Sequence, residues 1–138
     1  MTNYWPFVND AIDVIGGANL QTINPINFFD RLGNSNNGVR MSSGANVYTA
    51  PPGFYFSNSD FTIIFWVRLI DCGWYTKLID FGVGNQNRVI FAISHDNNCL
   101  PYVYFSNGAS IKNRATSVSF SLYQWYHVAV TLNSIDLR

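Results

Sequence analysis

The chain has 138 residues, enough for one domain that buries roughly two-thirds of the surface its unfolded form would expose. Hydrophobic residues make up 48% and charged residues only 12%, which excludes a disordered, highly charged chain. The formal net charge is +0 and basic residues form no run, so phosphate-neutralising nucleic-acid binding is not expected. The longest apolar run, around Ile63–Val67, is far shorter than the roughly 20 residues that span a bilayer, so we expect no membrane insertion of this segment.

The residue types indicate strands joined by polar turns. All 8 acidic residues are Asp, Glu is absent, and the only lysines are Lys77 and Lys112. A domain with long helices would normally carry Glu and Lys on their exposed faces. Asparagine is abundant instead, with 17 residues, beside 11 Phe and 8 Tyr. The composition therefore predicts an all-β fold.

The first 60 residues predict short elements. Tyr4–Phe7 is a short apolar start, a turn follows at Ile15–Gly17, and residues 33–38 form a polar loop. Short strands are expected at Val39–Met41 and at Tyr55–Phe56.

The second half alternates with a period of two. Phe61 to Arg68 is apolar on both faces, as in a strand covered on both sides, whereas Ser117–Leu122 and Tyr126–Leu132 alternate between apolar and polar. Further strands are expected at Thr76–Phe81, Arg88–Ser94 and Tyr102–Phe105, with turn-forming residues between them. Strands at this spacing predict an antiparallel β-sandwich or barrel, and the lack of repeats or linkers predicts a single domain over residues 1–138.

Four segments resemble laminin-G-like domains of the concanavalin A-like jelly-roll class. Residues 60–67 (DFTIIFWV) are similar to the family's "d-F-T-i-x-x-W-v" strand, and residues 125–131 (WYHVAVT) to its "W-x-H-V-A-v-t" strand. The opening segments 4–7 and 11–17, and the stretch 30–41, are similar to two earlier family motifs. The matches occur in the family's order.

This resemblance implies a jelly-roll sandwich that serves as a non-enzymatic extracellular recognition module. Members bind glycans, proteins, sulfated polysaccharides or steroids, and some use Ca²⁺, so the partner is expected to be a glycan or an extracellular protein. A structural spacer within a large adhesive protein is the alternative function, and a glycan-active enzyme is a further one. Relatives that cleave glycans carry a Glu-containing motif, which a chain without Glu does not have.

The family continues beyond the "W-x-H-V-A" strand with further strands. The alternating residues Ser134–Arg138 have no turn after them, so we expect the final strands to be missing from this segment of a longer chain. No secretory signal is recognised at Met1–Tyr4, and the extracellular or cell-surface location is inferred for the longer chain.

The two cysteines lie in predicted turns. If residues 61–70, 76–81, 88–94 and 102–105 form a meander, Cys72 and Cys99 occupy alternate turns at one end of the sheet, roughly 10 Å apart before the loops lean together. A disulfide between them is one interpretation, two buried free thiols are another, and a zinc site lacks ligand spacing.

A candidate ligand site lies at the same predicted end. Sugar recognition uses aromatic faces together with amide and carboxylate oxygens. The turns that hold the cysteines also contain such side chains, namely Trp74, Tyr75, Asp96, Asn97 and Asn98. The alternative is that the aromatic residues only cover the end of the sheet.

Calcium is the only cofactor expected. Asp10 and Asp13 could supply the oxygen ligands that Ca²⁺ prefers, and relatives often place a calcium-binding Asp in the corresponding opening segment. The alternative is that Asp13 caps the turn before Gly16.

Overall fold

The computed structural model describes residues 1–22, 27–41, 48–54, 60–74, 76–83, 87–107 and 111–133. All of its regular structure is β-strand, in ten elements whose bounds are β1 Gln21–Thr22, β2 Asn27–Phe28, β3 Gly38–Val39, β4 Tyr48–Thr49, β5 Phe61–Arg68, β6 Thr76–Val83, β7 Asn87–Ser94, β8 Tyr102–Asn107, β9 Ile111–Ala115 and β10 Trp125–Leu132. In this described part of the chain no helix is long and apolar enough to cross a membrane. The chain forms two compact units, Met1–Tyr55 and Phe56–Arg138.

The first unit consists mainly of hydrogen-bonded loops. As far as the structure describes them, its strands are two residues long and pair antiparallel, β1 with β4 and β2 with β3. The loop that joins β2 to β3 closes on Asp30, whose Oδ1 accepts the backbone N–H groups of Leu32 at 2.8 Å and Asn34 at 2.9 Å. Short-range bonds of this kind compete with long strands, which is why the polar, Asn-rich opening forms turns.

The first sheet of the second unit contains β5 and β10, paired antiparallel along eight residues from Phe61↔Leu132 to Arg68↔Trp125. Phe65 and Val67 on β5 face the core together with Val128 on β10. The opposite face is exposed, and Ile64 keeps 58% of its surface in contact with solvent. The period-two pattern therefore predicts both strands correctly, although only one face of the sheet is covered.

The second sheet is a four-stranded meander in the order β6-β7-β8-β9. Phe91 on β7 is 3% exposed and meets Phe65 of the first sheet edge-on, with ring centroids 5.2 Å apart. Leu78 and Ile93 pack into the same core. The two sheets thus form a sandwich whose core lies between them.

Two predictions about this unit are wrong. The strand that we expected to begin the meander, β5, pairs with β10 in the other sheet, so the β5–β6 connection crosses between sheets. Residues 117–122 form bends and a turn rather than a strand, and Val118 is 72% exposed. Strand β9, which the sequence did not predict, completes the meander instead. The strand expected at Tyr55–Phe56 and the segment Ser134–Arg138 lie outside the described residues.

Two valines test this assignment of the core. Val130 on β10 is 3% exposed and Val118 in the 116–124 loop is 72% exposed. Val130→Ala removes two buried methyl groups and leaves a cavity, so we expect the free energy of unfolding to fall by about 2 kcal/mol. Val118→Ala is expected to change it by less than about 0.5 kcal/mol. Urea denaturation measures both changes. Equal losses in the two variants would mean that Val118 is also buried, as the strand predicted over residues 117–122 requires.

Candidate functional site

A disulfide between Cys72 and Cys99 joins two loops of the second unit. Cys72 follows β5 and Cys99 follows β7, and their Cα atoms are 5.1 Å apart, within the usual range for a disulfide. The disulfide interpretation is thus confirmed for this pair. The meander argument placed β5 in the wrong sheet. The β5–β6 connection nevertheless brings Cys72 to the β7–β8 loop, which contains Cys99.

Three aromatic rings form a row at this end of the meander. The Trp74 and His95 rings are stacked with centroids 6.2 Å apart, and the His95 and Tyr102 rings with centroids 4.5 Å apart. Trp74 is the outermost ring and is 70% exposed. An indole held on one side by a stacked neighbour and open on the rest is suited to receive an apolar ligand face.

The β7–β8 loop is held by its own side chains. Asp96 accepts hydrogen bonds from the Asn98 backbone at 3.2 Å and from the Asn98 side chain at 3.0 Å. Asn97 has a left-handed backbone with φ of 64°, which asparagine tolerates better than most residues. The His95 N–H donates to the Leu100 carbonyl at 3.0 Å and closes the loop. Asn97 and Asn98 are exposed and Asp96 is half-buried.

The structure therefore places one predicted ligand-binding residue, Trp74, against the loop that contains three of the others. Trp74 stacks on His95, the residue before Asp96, and Asn97 and Asn98 complete that loop, while Tyr75 lies outside the described residues. Sequence reasoning missed His95 and Tyr102 as members of the site. Their positions could have indicated this. His95 follows the last residue of β7, and Tyr102 begins β8, the antiparallel neighbour of β7, so the two residues lie at the same end of the strand pair.

Asp13 forms a separate polar centre in the first unit. Its Oδ1 accepts the backbone N–H groups of Tyr4, Ile15 and Gly16 at 2.8, 3.1 and 3.0 Å. Its Oδ2 accepts the Asn3 amide at 2.6 Å and the Ala18 backbone N–H at 3.0 Å. The residue is 4% exposed. These donors are the reason the opening residues fold around this one carboxylate.

Burial and hydrogen bonding act in opposite directions on this carboxyl group. Burial alone would raise the pKa of Asp13, but the hydrogen bonds from Asn3, Tyr4, Gly16 and Ala18 outweigh it and hold the pKa well below its ordinary value of 3.8. Asp13 is therefore ionised at neutral pH and serves as an acceptor for the surrounding N–H groups.

The calcium prediction stays a prediction, and the donors around Asp13 weigh against it. N–H groups already engage both oxygens of Asp13, and a cation would have to displace them. The other expected ligand, Asp10, is exposed and accepts the Ile12 N–H at 3.1 Å. Within the described ranges, no group of three or more His, Cys, Asp or Glu side chains is arranged to hold a metal ion.

The family comparison bears on residues 32–138, which match the model of the concanavalin A-like lectin/glucanases superfamily. The chain belongs to this superfamily. The match includes the β5 and β10 strands that carry the laminin-G-like motifs, so the predicted relationship and the all-β sandwich class are confirmed. Neither a curated protein nor a solved structure matches the chain.

Asp13 makes the stability of the chain depend on pH in a defined direction. Because its pKa is lower in the folded state than the ordinary 3.8, its contribution is fully present above that value and is lost as pH falls towards the folded-state pKa. Asp13→Asn is expected to lower the melting temperature at pH 7 and to flatten its fall between about pH 4 and pH 2. Thermal melts across this range measure the effect. Asp10→Asn is the control, and equal effects of both variants would contradict the role given to Asp13.

Loss of the disulfide is expected to destabilise the second unit. The two cysteines are 27 residues apart, a loop for which chain-entropy arguments give about 3.5 kcal/mol. The double variant Cys72→Ala, Cys99→Ala should therefore show a lower urea midpoint than the oxidised wild type, close to that of the reduced wild type. An unchanged midpoint would mean that the loops hold their positions without the bond.

Proposed function

We propose that this chain is a non-enzymatic recognition module that binds carbohydrate at the loop pair joined by the disulfide. The observation that carries the proposal is the exposed Trp74 ring, stacked on His95 beside the Asp96–Asn98 loop. An open aromatic face, stacked on the ring that precedes a loop of carboxylate and amide side chains, supports a sugar-binding role for this end of the meander. Membership of a superfamily described by lectins and glucanases supports this ligand class.

The chemistry of the site favours a sugar over an apolar ligand. A pyranose ring has C–H groups on its faces, which pack on an indole, and hydroxyl groups around its rim, which need polar partners. Asn97 and Asn98 offer amide groups at the surface and Asp96 offers a carboxylate. Because Asp96 and Asn98 are already bonded to each other, the polar partners are held in place before a ligand arrives.

The proposed setting is the outside of the cell. Disulfides persist in oxidising compartments, and the Cys72–Cys99 bond joins the two site loops. An extracellular protein is the alternative partner, because an exposed tryptophan is also a common anchor in protein interfaces.

The proposal that the module is not an enzyme rests on its acidic residues. Glycoside hydrolysis by the usual route needs two carboxyl groups about 5 to 10 Å apart. The chain has no Glu, so only aspartates could form such a pair. Incubation with the oligosaccharides that bind should leave them uncleaved, and detection of new reducing ends would overturn this part of the proposal.

Trp74→Ala is the decisive variant for the glycan site. An array of neutral, uronic-acid-containing and sulfated oligosaccharides identifies a bound sequence, whose affinity is then measured by titration calorimetry. Trp74→Ala is expected to weaken binding by about tenfold through loss of the stacking face. Trp74→Phe should recover part of the loss.

Trp66→Ala is the matched control, because Trp66 is also exposed and stacked on a histidine, His127. It lies on β5 rather than in the loop pair, and its removal should leave the affinity unchanged. Equal loss in both alanine variants would contradict the assignment of the site to the loop pair, and loss in the control alone would move the site to the β5–β10 face. Absence of binding to every oligosaccharide would overturn the carbohydrate proposal and leave a protein partner or the spacer function.

A further inference from the structure

A cleft of about 350 Å³ lies within the first unit and is lined by none of the residues of the proposed glycan site. One wall is formed by Asn3 and by residues 16–18, and the other by residues 51–54. Trp5 connects the walls, since its indole N–H donates to the Ala18 carbonyl at 2.8 Å and its ring meets Phe54 edge-on at 5.9 Å. One side chain thus contacts both segments that form the cleft.

The second wall is a rigid turn. The Phe54 N–H donates to the Pro51 carbonyl at 3.1 Å, with Pro52 and Gly53 between them. Proline followed by a glycine with positive φ, here 84°, is the signature of a type II turn. This wall is formed by two prolines, a glycine and Phe54, none of which has a polar side chain.

The first wall is built directly on the Asp13 carboxylate. Asn3, Gly16 and Ala18, which line the cleft, all donate hydrogen bonds to Asp13. Gly16 lies so close to the carboxylate that a Cβ at this position would collide with Asn3 Nδ2, the Thr2 carbonyl and Asp13 Oδ2. The negative charge consequently lies one hydrogen bond behind the surface of the cleft.

Peptide geometry turns acceptor groups away from that charge. In a trans peptide the N–H and C=O groups are antiparallel. The Ala18 N–H points to Asp13, so the Gly17 carbonyl in the same peptide plane points away from it. The Asn3 side chain uses Nδ2 on Asp13, which leaves its Oδ1 directed elsewhere. Gly17 and Asn3 both line the cleft, so its first wall contains the Gly17 carbonyl and the Asn3 side-chain oxygen as acceptors, with the Asp13 carboxylate behind them.

We infer that this cleft binds an alkylammonium group. The acceptor wall and the buried charge of Asp13 select a cationic donor, and the proline and Phe54 wall accepts its hydrocarbon chain. A hydrated divalent metal is disfavoured, because it needs six or more oxygen ligands and gains nothing from an apolar wall. The same ammonium chemistry is offered by a small free amine and by a lysine side chain of a partner protein.

Titration of the full chain with butylammonium chloride tests this inference. Binding is followed by the backbone amide NMR signals of Asn3, Gly17 and Gly53 and by the side-chain amide signal of Asn3. The expected result is a saturable shift of these signals, weakened by added salt because the attraction is electrostatic. 1-Butanol, which has the same chain length without the charge, should bind about tenfold more weakly or not at all. Equal binding of the two compounds would overturn the inference.

Three glycine variants separate charge from steric effects. Gly17, Gly53 and Gly33 have φ values of 73°, 84° and 86°, and a Cβ at each would meet nothing within 4 Å. Asparagine tolerates this backbone, so Gly53→Asn should narrow the cleft and weaken binding several-fold. Gly33→Asn has the same backbone cost outside the cleft and should bind as the wild type does. Gly17→Asp should bind more tightly than the equally sized Gly17→Asn, and the reverse order would contradict an electrostatic site.

Two further titrations distinguish the sources of the ligand. N-acetyl-lysine methylamide, which presents a lysine side chain without free termini, binds as well as butylammonium if the cleft receives lysine from a protein. If only butylammonium shifts the signals, the ligand is a free amine. Displacement of butylammonium by millimolar CaCl₂, but not by NaCl of equal ionic strength, would replace the inference with a calcium site. Absence of any saturable shift would reject it.

Discussion

The Cys72–Cys99 bond is the constraint on which the proposed glycan site depends. It joins the β5–β6 connection, which crosses between the sheets, to the β7–β8 loop of the four-stranded meander. The bond therefore fixes these two loops against each other. The 116–124 loop supports the same junction, since the Phe120 N–H donates to the Cys99 carbonyl at 2.9 Å and the Tyr123 N–H to the Leu69 carbonyl at 2.8 Å. Cys99 and Leu69 are 3% and 2% exposed, which anchors the junction in the core.

The exclusive use of aspartate has a structural explanation in three of the loops. Asp13, Asp30 and Asp96 each accept backbone N–H groups from residues only a few positions away, a reach that suits the short aspartate side chain. On strand β6, Asp80 is instead held by Arg88 Nε at 2.7 Å and Lys77 Nζ at 2.8 Å, and the Arg88 hydrogen bonds chiefly lower its pKa. The carboxylates of these loops therefore serve mainly to hold the local turns, in a chain that has few of the residues that favour helices.

The sequence predicted the strands best where alternation is long and apolar, as in β5 and β10. It failed at residues 117–122, where serines alternate with apolar residues but only Phe120 reaches the core, stacked on Tyr126 with centroids 4.4 Å apart. It also missed β9, since Lys112 and Arg114 make the segment look like a loop. An edge strand tolerates such charges, and they discourage further pairing.

Both histidines of the chain stack on tryptophans, yet only one pair has the geometry of a site. Trp66 and His127 lie opposite each other on β5 and β10, nearly parallel at 14° and 4.6 Å, so each ring uses one face on the other. That pairing contributes to the sheet as a cross-strand contact. Trp74 lies on a loop, is more widely spaced from His95 at 6.2 Å, and exposes 70% of its surface compared with 47% for Trp66. A ring that contributes less to packing and more to the surface is the better candidate for recognition. The polar residues Asp96–Asn98 follow His95, on which Trp74 stacks, whereas Ile64 and Ala129 lie beside the Trp66–His127 pair.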